Sequence, residues 1–425
     1  MINSILKVVR GVVKLRGATD NTLIGNYGDS IKTTTGDTSQ LDSFGRMRTS
    51  DGKTVLAATF RYDKQPITWS ELVASGGSVT HSSNTVSVDL ACTTTTNSSA
   101  KFASRAYVPY HPGKSQLILI SGNFSGAATN VTKRFGYFDD NNGVFFELSG
   151  STLKVVRRTK TSGSVVDTAV SQSSWNIDKL DGTGTSGLTL DLSKQQLMHI
   201  DFTWLGSGRI RYGFNLNGKV VYCHAEVLSN SIATPWSQTA NLPVRCEIVN
   251  AGSTASSMSL TCCSVICEGH NVLDGKLRTV NNGTTSRAFG SAGTVIPVLS
   301  LRKQTAYVDV PVEMVDFRAF ADSLDDFFVS IVLNGTLTGA SWSNVDGLCQ
   351  KDVSATAISG GTTLYSTYLS GGASNEDVIM SLLEHSEMGL LGRDLSGNSD
   401  VISIVATAIT SSSTMYSTLN YKEIY

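Results

Sequence analysis

Charge is scarce in this chain. Asp, Glu, Lys and Arg make up 16% of its 425 residues, against roughly 25% in ordinary soluble domains. The charges nearly cancel, leaving a net of −1, and no basic stripe is present. No global field therefore draws the chain toward nucleic acid or anionic lipid, and neither is expected as a partner. Long apolar runs are also missing. Nothing approaches the ~18 residues of a membrane span, so no membrane insertion is expected. The opening MINSILKVVRGVVKLRG breaks its apolar residues with Lys7, Arg10, Lys14 and Arg16, unlike the continuous apolar core of a signal peptide. The seven cysteines, Cys92, Cys223, Cys246, Cys262, Cys263, Cys267 and Cys349, are odd in number and follow no framework spacing. They read as reduced, buried residues of a protein made in a cytosol.

Strand patterning is plentiful. At roughly 150 residues per domain, the length suggests two or three domains. Residues 1–50 are short β-branched runs broken by GATDN, GNYGD and TTTGDTSQ, too polar to form a core alone. They read as an extended arm that pairs with a neighbouring subunit. Residues 51–272 are dense in strands. Met198, Ile200, Phe202 and Trp204 alternate with His199, Asp201 and Thr203, a period of two with one face expected buried and the other on the surface. Gly206-Ser207-Gly208 turns the chain, and Ile210, Tyr212, Phe214 and Leu216 repeat the alternation. Asn217-Gly218 suits a type I′ hairpin into a third strand, Val220 to His224. Three such strands need a second sheet to cover them, hence a β-sandwich. NNGTTSRAFGSAG (281–293) reads as a linker. Runs such as FFVSIVLNG and DVISIVATAI predict a second β domain over 273–425. Within it, SNEDVIMSLLEHSEMGLLG suits either a short helix capped by Ser374, with Asp377 in its first turn, or an irregular crossover. The expected fold is all-β: an arm, a jelly-roll or lectin-like sandwich, and a second β-sandwich-like domain.

Several motifs invite chemistry. DDNNG (Asp139–Gly143) has two acids, but an EF-hand register from Asp139 puts Gly143 at position 5 and Gly150 at position 12, where oxygen ligands belong. Asn142-Gly143 instead falls between two apolar runs, as a tight hairpin turn does. Calcium on Asp139 and Asp140 stays open as the lesser reading. GDSI (Gly28–Ile31) echoes a hydrolase nucleophile block, yet none of the six histidines has Asp three residues before it, so no base is in place. Gly113-Lys114-Ser115 ends like a phosphate loop, but Val108 stands at the opening glycine and a strand follows. Cys262, Cys263, Cys267 and His270 suggest zinc. On a strand, however, Cys263 and Cys267 lie ~13 Å apart at ~3.3 Å per residue, too far for bonds of ~2.3 Å to one ion. Asp178, Asp181, Asp191 and Asp201 are candidates for a glycosidase pair; as turn and surface residues they need no such role. Lys154–Lys160, KVVRRTK, reads as the solvent side of an edge strand. No catalytic, cofactor-binding or metal-binding residue is assigned, and no cofactor is expected.

Taken together, longer segments resemble a family of tailed-bacteriophage virion proteins. They are FGRMRTSDGKTVLAATFRYDKQPITW (Phe44–Trp69), PGKSQLILISG (Pro112–Gly122), GYFDDNNGVFFEL (Gly136–Leu148), VVRRTKTSG (Val155–Gly163), the long run Trp175–His224, NLPVRCEI (Asn241–Ile248) and LTGASWSNVDG (Leu337–Gly347). The match runs in order over most of 44–270, with patches beyond. It implies a non-enzymatic structural protein of the phage particle, made in the host cytoplasm and tail-associated. Its partners would be copies of itself around the tail axis and other virion proteins, with host-surface glycan contact as a further expectation. Head decoration or head-fibre placement, and a glycan-binding or glycan-cleaving enzyme, are the alternatives. Thr203 stands where relatives carry an acid, which argues against an essential carboxylate there.

Overall fold

The computed structural model describes residues 39–49, 51–269, 275–321, 325–371 and 390–425. Beyond these it gives the backbone pairing of Lys7–Val9, Val12–Lys14, Asn26–Tyr27, Ser30–Ile31 and Met380–Ser381. The chain divides into two compact units, Met1–Leu41 and Asp42–Tyr425. In the first, Lys7–Val9 pairs antiparallel with Val12–Lys14, and Asn26–Tyr27 with Ser30–Ile31. Ser30 of GDSI is thus a strand residue opposite Tyr27; Gly28 and Asp29 lie outside the described residues.

The second unit is all-β and holds two sandwiches. In the first, an eight-stranded sheet runs Lys219–Glu226, Ile210–Leu216, Gln196–Phe202, Gln116–Asn123, Ser256–Glu268, Ser87–Cys92 and Ser78–Ser82, with Gly52–Thr59 also on Ser256–Glu268. A seven-stranded sheet covers it, in the order Val166–Ser171, Thr152–Thr159, Gly143–Ser149, Val131–Phe138, Val244–Asn250, Ser99–Ser104 and Trp69–Ala74. The expected meander forms, with Met198 opposite Phe214 and Leu216 opposite Lys219. Asn217 and Gly218 both take positive φ, 52° and 75°, as a type I′ turn demands. Aromatic side chains stitch the sheets together: Phe146 meets Phe214 at 4.8 Å and Tyr212 at 5.7 Å, and Tyr137 meets Phe202 at 5.8 Å. Burying each such ring is worth about 1.5–3 kcal/mol.

The second sandwich pairs a sheet of Val295–Lys303, Val401–Ala408, Phe327–Leu333, Thr362–Leu369, Cys349–Asp352 and Ser343–Asn344 with one built on Ser413–Glu423 and Val312–Ala321. The two sandwiches meet where Arg105 binds Asp400 (Nε to Oδ1 2.9 Å), Arg393 N donates to Arg105 O (2.9 Å) and Leu395 N to Ser70 Oγ (3.1 Å). A small cavity of about 60 Å³ remains there, lined by Leu56, Trp69, Met314, Leu391 and Ile402.

Four expectations change. His199, Asp201 and Thr203 are buried on the supposed surface face, because residues 42–48 lie across it. The hairpin turn sits at 139–142, one step earlier than expected: Asp139 N donates to Asn142 O at 2.8 Å, and Gly143 already pairs with Phe138. The segment 281–293 is no linker, since Arg287–Phe289 pairs with Ser413–Met415 and Phe289 packs edge-on to Phe327 at 5.0 Å. Thr152–Thr159 is no edge strand either, because Val166–Ser171 pairs outside it. Of the expected helix or crossover, Met380–Ser381 pairs as a strand with Asp316 and Phe317; Ser374 and Asp377 lie outside the described residues. Among the described residues there is no α-helix, hence none that could cross a membrane.

Candidate functional site

The acids singled out from the sequence do not converge. Asp178 is buried and organises its own loop, accepting Leu180 N at 2.9 Å and Ser186 N at 2.6 Å. Asp181 accepts the amide and hydroxyl of Thr183 (2.9 and 2.6 Å), and Asp191 those of Ser193 (3.0 and 2.6 Å). Those hydrogen bonds hold both carboxyls below the usual range. Such Asx turns are what aspartate does in loops.

Asp201 is different. It sits at zero exposure between Arg211 and Arg48 (Nη2 at 2.7 Å), and accepts Ser43 Oγ at 2.9 Å and Ser115 Oγ at 2.6 Å. Burial alone would raise its carboxyl, but Arg211 and then Arg48 outweigh that and hold it below the usual range. Arg48 also binds Glu268. The cluster is a latch that ties residues 42–48 to the sheet. Beside it, burial pushes His199 down to about 4, with Arg48 adding to the effect and Asp201 opposing it.

The other sheet carries a second ladder on its outer face. Arg134 bridges Glu147 (2.8 Å) and Glu247, and Arg245 binds Glu247 and Asp140 (2.9 Å). Burial would raise Glu247, but Arg245 and Arg134 hold it at about 2, the opposite of what a general acid requires. The KVVRRTK cluster is neutralised in the same manner: Lys154 by Glu147 (3.3 Å), Arg157 by Glu226 (2.7 Å) and Arg158 by Asp167 (2.8 Å). Asp139 Oδ1 accepts Asn141 N and Asn142 N, both at 2.8 Å, and Oδ2 accepts Tyr107 OH at 3.1 Å, while Asp140 faces Arg245 and Lys101. Among the described residues no three metal-ligating side chains gather. Cys262, Cys263 and Cys267 lie along one strand, Ser256–Glu268; His270 lies outside the described residues.

One open cleft, of about 670 Å³, collects side chains suited to a ligand. Its walls come from the turn 110–114, from Trp204 just past Gln196–Phe202, from 238–241 before Val244–Asn250, and from Ile424 and Tyr425 after Ser413–Glu423. Tyr110 stacks on buried Phe202 at 5.9 Å and stands edge-on to Trp204 at 6.3 Å. Its hydroxyl accepts Trp204 N (2.9 Å) and donates to Lys114 O (3.1 Å); Trp204 Nε1 donates to Ser237 O (3.2 Å). Leu205, at φ +35°, turns the chain sharply after Trp204, a strained conformation for a branched residue. Sequence reading missed this site. The turn at His111–Ser115 was legible as a turn, and Trp204 as one of an alternating set, but nothing linked them to Gln238, Asn241 or Tyr425.

The fold so described is that of a β-sandwich protein. No family model matches the chain, and no curated protein matches it. Among solved structures it is similar to a protein of unknown function from Shewanella oneidensis (11% identity, TM-score 0.36, covering 56% of this chain and 97% of that one). It is also similar to a glycosyl hydrolase family protein from Mycobacterium fortuitum (10%, TM-score 0.34, 50% and 99%) and to a legume lectin-like domain from Entamoeba histolytica (11%, TM-score 0.30, 50% and 96%).

Proposed function

We propose that this chain is a structural component of a tailed-phage virion, tail-associated, acting through particle assembly and host-surface contact and not through chemistry of its own. The observation that carries the reading is the ordered run of long segments resembling phage virion proteins, which begins in the latch at Phe44 and continues through the strands of the first sandwich. Three features support it. Each of the four candidate acids, Asp178, Asp181, Asp191 and Asp201, is committed to an arginine or to its own turn. Thr362–Leu369, the last described strand of its sheet, is eight residues without a charge, a template on which a neighbour's strand can add. Exposed Phe44, Leu205 and Val227 border a groove of about 490 Å³, the kind of apolar surface an assembly covers. Copies arranged around a tail axis would meet through heterologous contacts.

The test is immunogold imaging of intact virions with antibody against residues 51–270. Gold confined to the tail is the expected result. Gold over the head would reassign the chain to decoration, and no gold on any particle would defeat the virion reading.

A further inference from the structure

We infer that the cleft walled by Tyr110, Trp204 and Tyr425 is a glycan-binding site that stacks a pyranose ring on aromatic faces and reads its hydroxyls with amides. The inference rests on the host-contact part of the reading above, but not on where in the particle the chain sits.

A sugar ring is amphipathic: an apolar C–H face and an equatorial belt of hydroxyls. Its complement is a rigid aromatic face next to neutral polar groups, in a cleft that stays open to water. This cleft has those parts. Tyr110 and Trp204 are locked, the first by stacking on Phe202 and the second by its backbone and indole hydrogen bonds. Because their polar tips are bonded within the protein, what they turn to the cleft is ring surface, fixed before any ligand arrives. Preorganisation of that kind lowers the entropic cost of binding. Tyr425, 59% exposed, supplies a third ring from the second sandwich, held by Lys276 (Nζ to the hydroxyl 2.8 Å, and 4.1 Å from the ring centroid).

The polar side combines neutral amides with one lysine, Lys114. Asn241 Oδ1 is engaged by Tyr110 N at 2.8 Å, which orients its amide nitrogen as a donor. Gln238 is exposed beside it, and Thr239 shapes the wall, its hydroxyl accepting Asn241 N at 3.0 Å. Among the described residues no Asp or Glu side chain lines the cleft, which separates it from a paired-carboxylate hydrolase site. The volume falls within the ~300–1,000 Å³ typical of small-molecule sites. Lys114, also on the wall, can serve a sugar hydroxyl or a uronate carboxylate; both present the same stacked ring, and the experiment separates them.

The full chain would be titrated with cellohexaose, maltohexaose, chitohexaose and oligogalacturonate, each to about 10 mM, beyond the weakest useful affinity, following tryptophan fluorescence and heat. At least one probe is expected to give a saturable change. Tyr425→Ala and Gln238→Ala, both at exposed positions, are each expected to weaken that binding about tenfold with the unfolding midpoint unchanged. Lys114→Gln weakening only oligogalacturonate would assign an acidic glycan; equal effects on neutral probes would assign a neutral one. The inference is overturned if no probe saturates, or if binding persists undiminished in Tyr425→Ala and Gln238→Ala. Either failure leaves the immunogold result untouched, so the two readings fail separately.

Discussion

At the scale of single residues, the buried charges decide how the chain responds to mutation and pH. Asp201 neutralises Arg211 and Arg48 at zero exposure, and removing one member of a buried pair costs about 3–5 kcal/mol because the other charge stays behind. Asp201→Asn is therefore expected to lower stability by about that much in urea unfolding and to expose residues 42–49 to trypsin at Arg46 and Arg48; an unchanged midpoint would contradict the latch.

Of the depressed groups, which also include Asp201 and His224, His199 and Glu247 define two separate pH windows. His199 is held at about 4 in the fold, against ~6.5 when unfolded. Between those values the unfolded chain binds a proton that the folded chain does not, so stability present above pH ~6.5 is lost as pH falls toward 4. Glu247, held at about 2 against ~4.3, contributes stability present above pH ~4.3 and lost on further acidification, on the order of 3 kcal/mol. Thermal melts from pH 7 to 3 should thus show a decline in two stages, and His199→Gln should reduce the upper one, with burial of His224 supplying the rest. The latch was not legible in sequence, since Asp201 looked like the polar member of an alternating strand. Only the segment that crosses it makes it interior.

At the scale of elements, local patterning served well where one face meets the core, and less well where both do. Gly143–Ser149 is buried on both faces: Val144, Phe146 and Leu148 point into the sandwich core, while Phe145 packs with Phe138 and Val156 on the outside. Guanidinium groups lie over those outer rings, Arg245 at 5.1 Å from Phe138 and Arg158 at 5.2 Å from Phe145, so charge covers apolar surface and leaves the composition pattern ambiguous. The hairpin before it was legible in kind through its glycine. The register differs because Asp139, not Asn142, nucleates the turn by accepting two backbone amides. Gly143 has φ +138°, and a Cβ there would overlap Phe138. Gly143→Ala is expected to cost more than about 1–3 kcal/mol and to broaden amide resonances across 131–149; a stable, native-like variant would refute the close approach.

At the scale of the whole molecule, Arg105 and Asp400 join two separate cores. The pair is largely buried, with Asn334 Nδ2 also on Asp400 at 2.9 Å. Arg105→Ala leaves that carboxylate without its cation, and calorimetry is expected to resolve one unfolding transition into two as the sandwiches uncouple; a single transition at the wild-type temperature would mean that apolar packing alone holds the junction. The cleft depends on the same coupling, because Tyr425 comes from the second sandwich and Trp204 from the first.

By itself the sequence determined the all-β class, the meander around Gln196–Glu226 and its Asn217-Gly218 turn, because alternation and turn chemistry are local and act within a few residues. It also carried the ordered resemblance on which the proposed role rests. The tertiary structure alone decided which polar residues are buried, where the latch lies, that Phe289 belongs to a core and not a linker, and that Tyr110, Trp204, Asn241 and Tyr425 share one cleft. Those facts depend on residues tens to hundreds of positions apart coming together, and burial and hydrogen bonding act through space, leaving no local period in the chain.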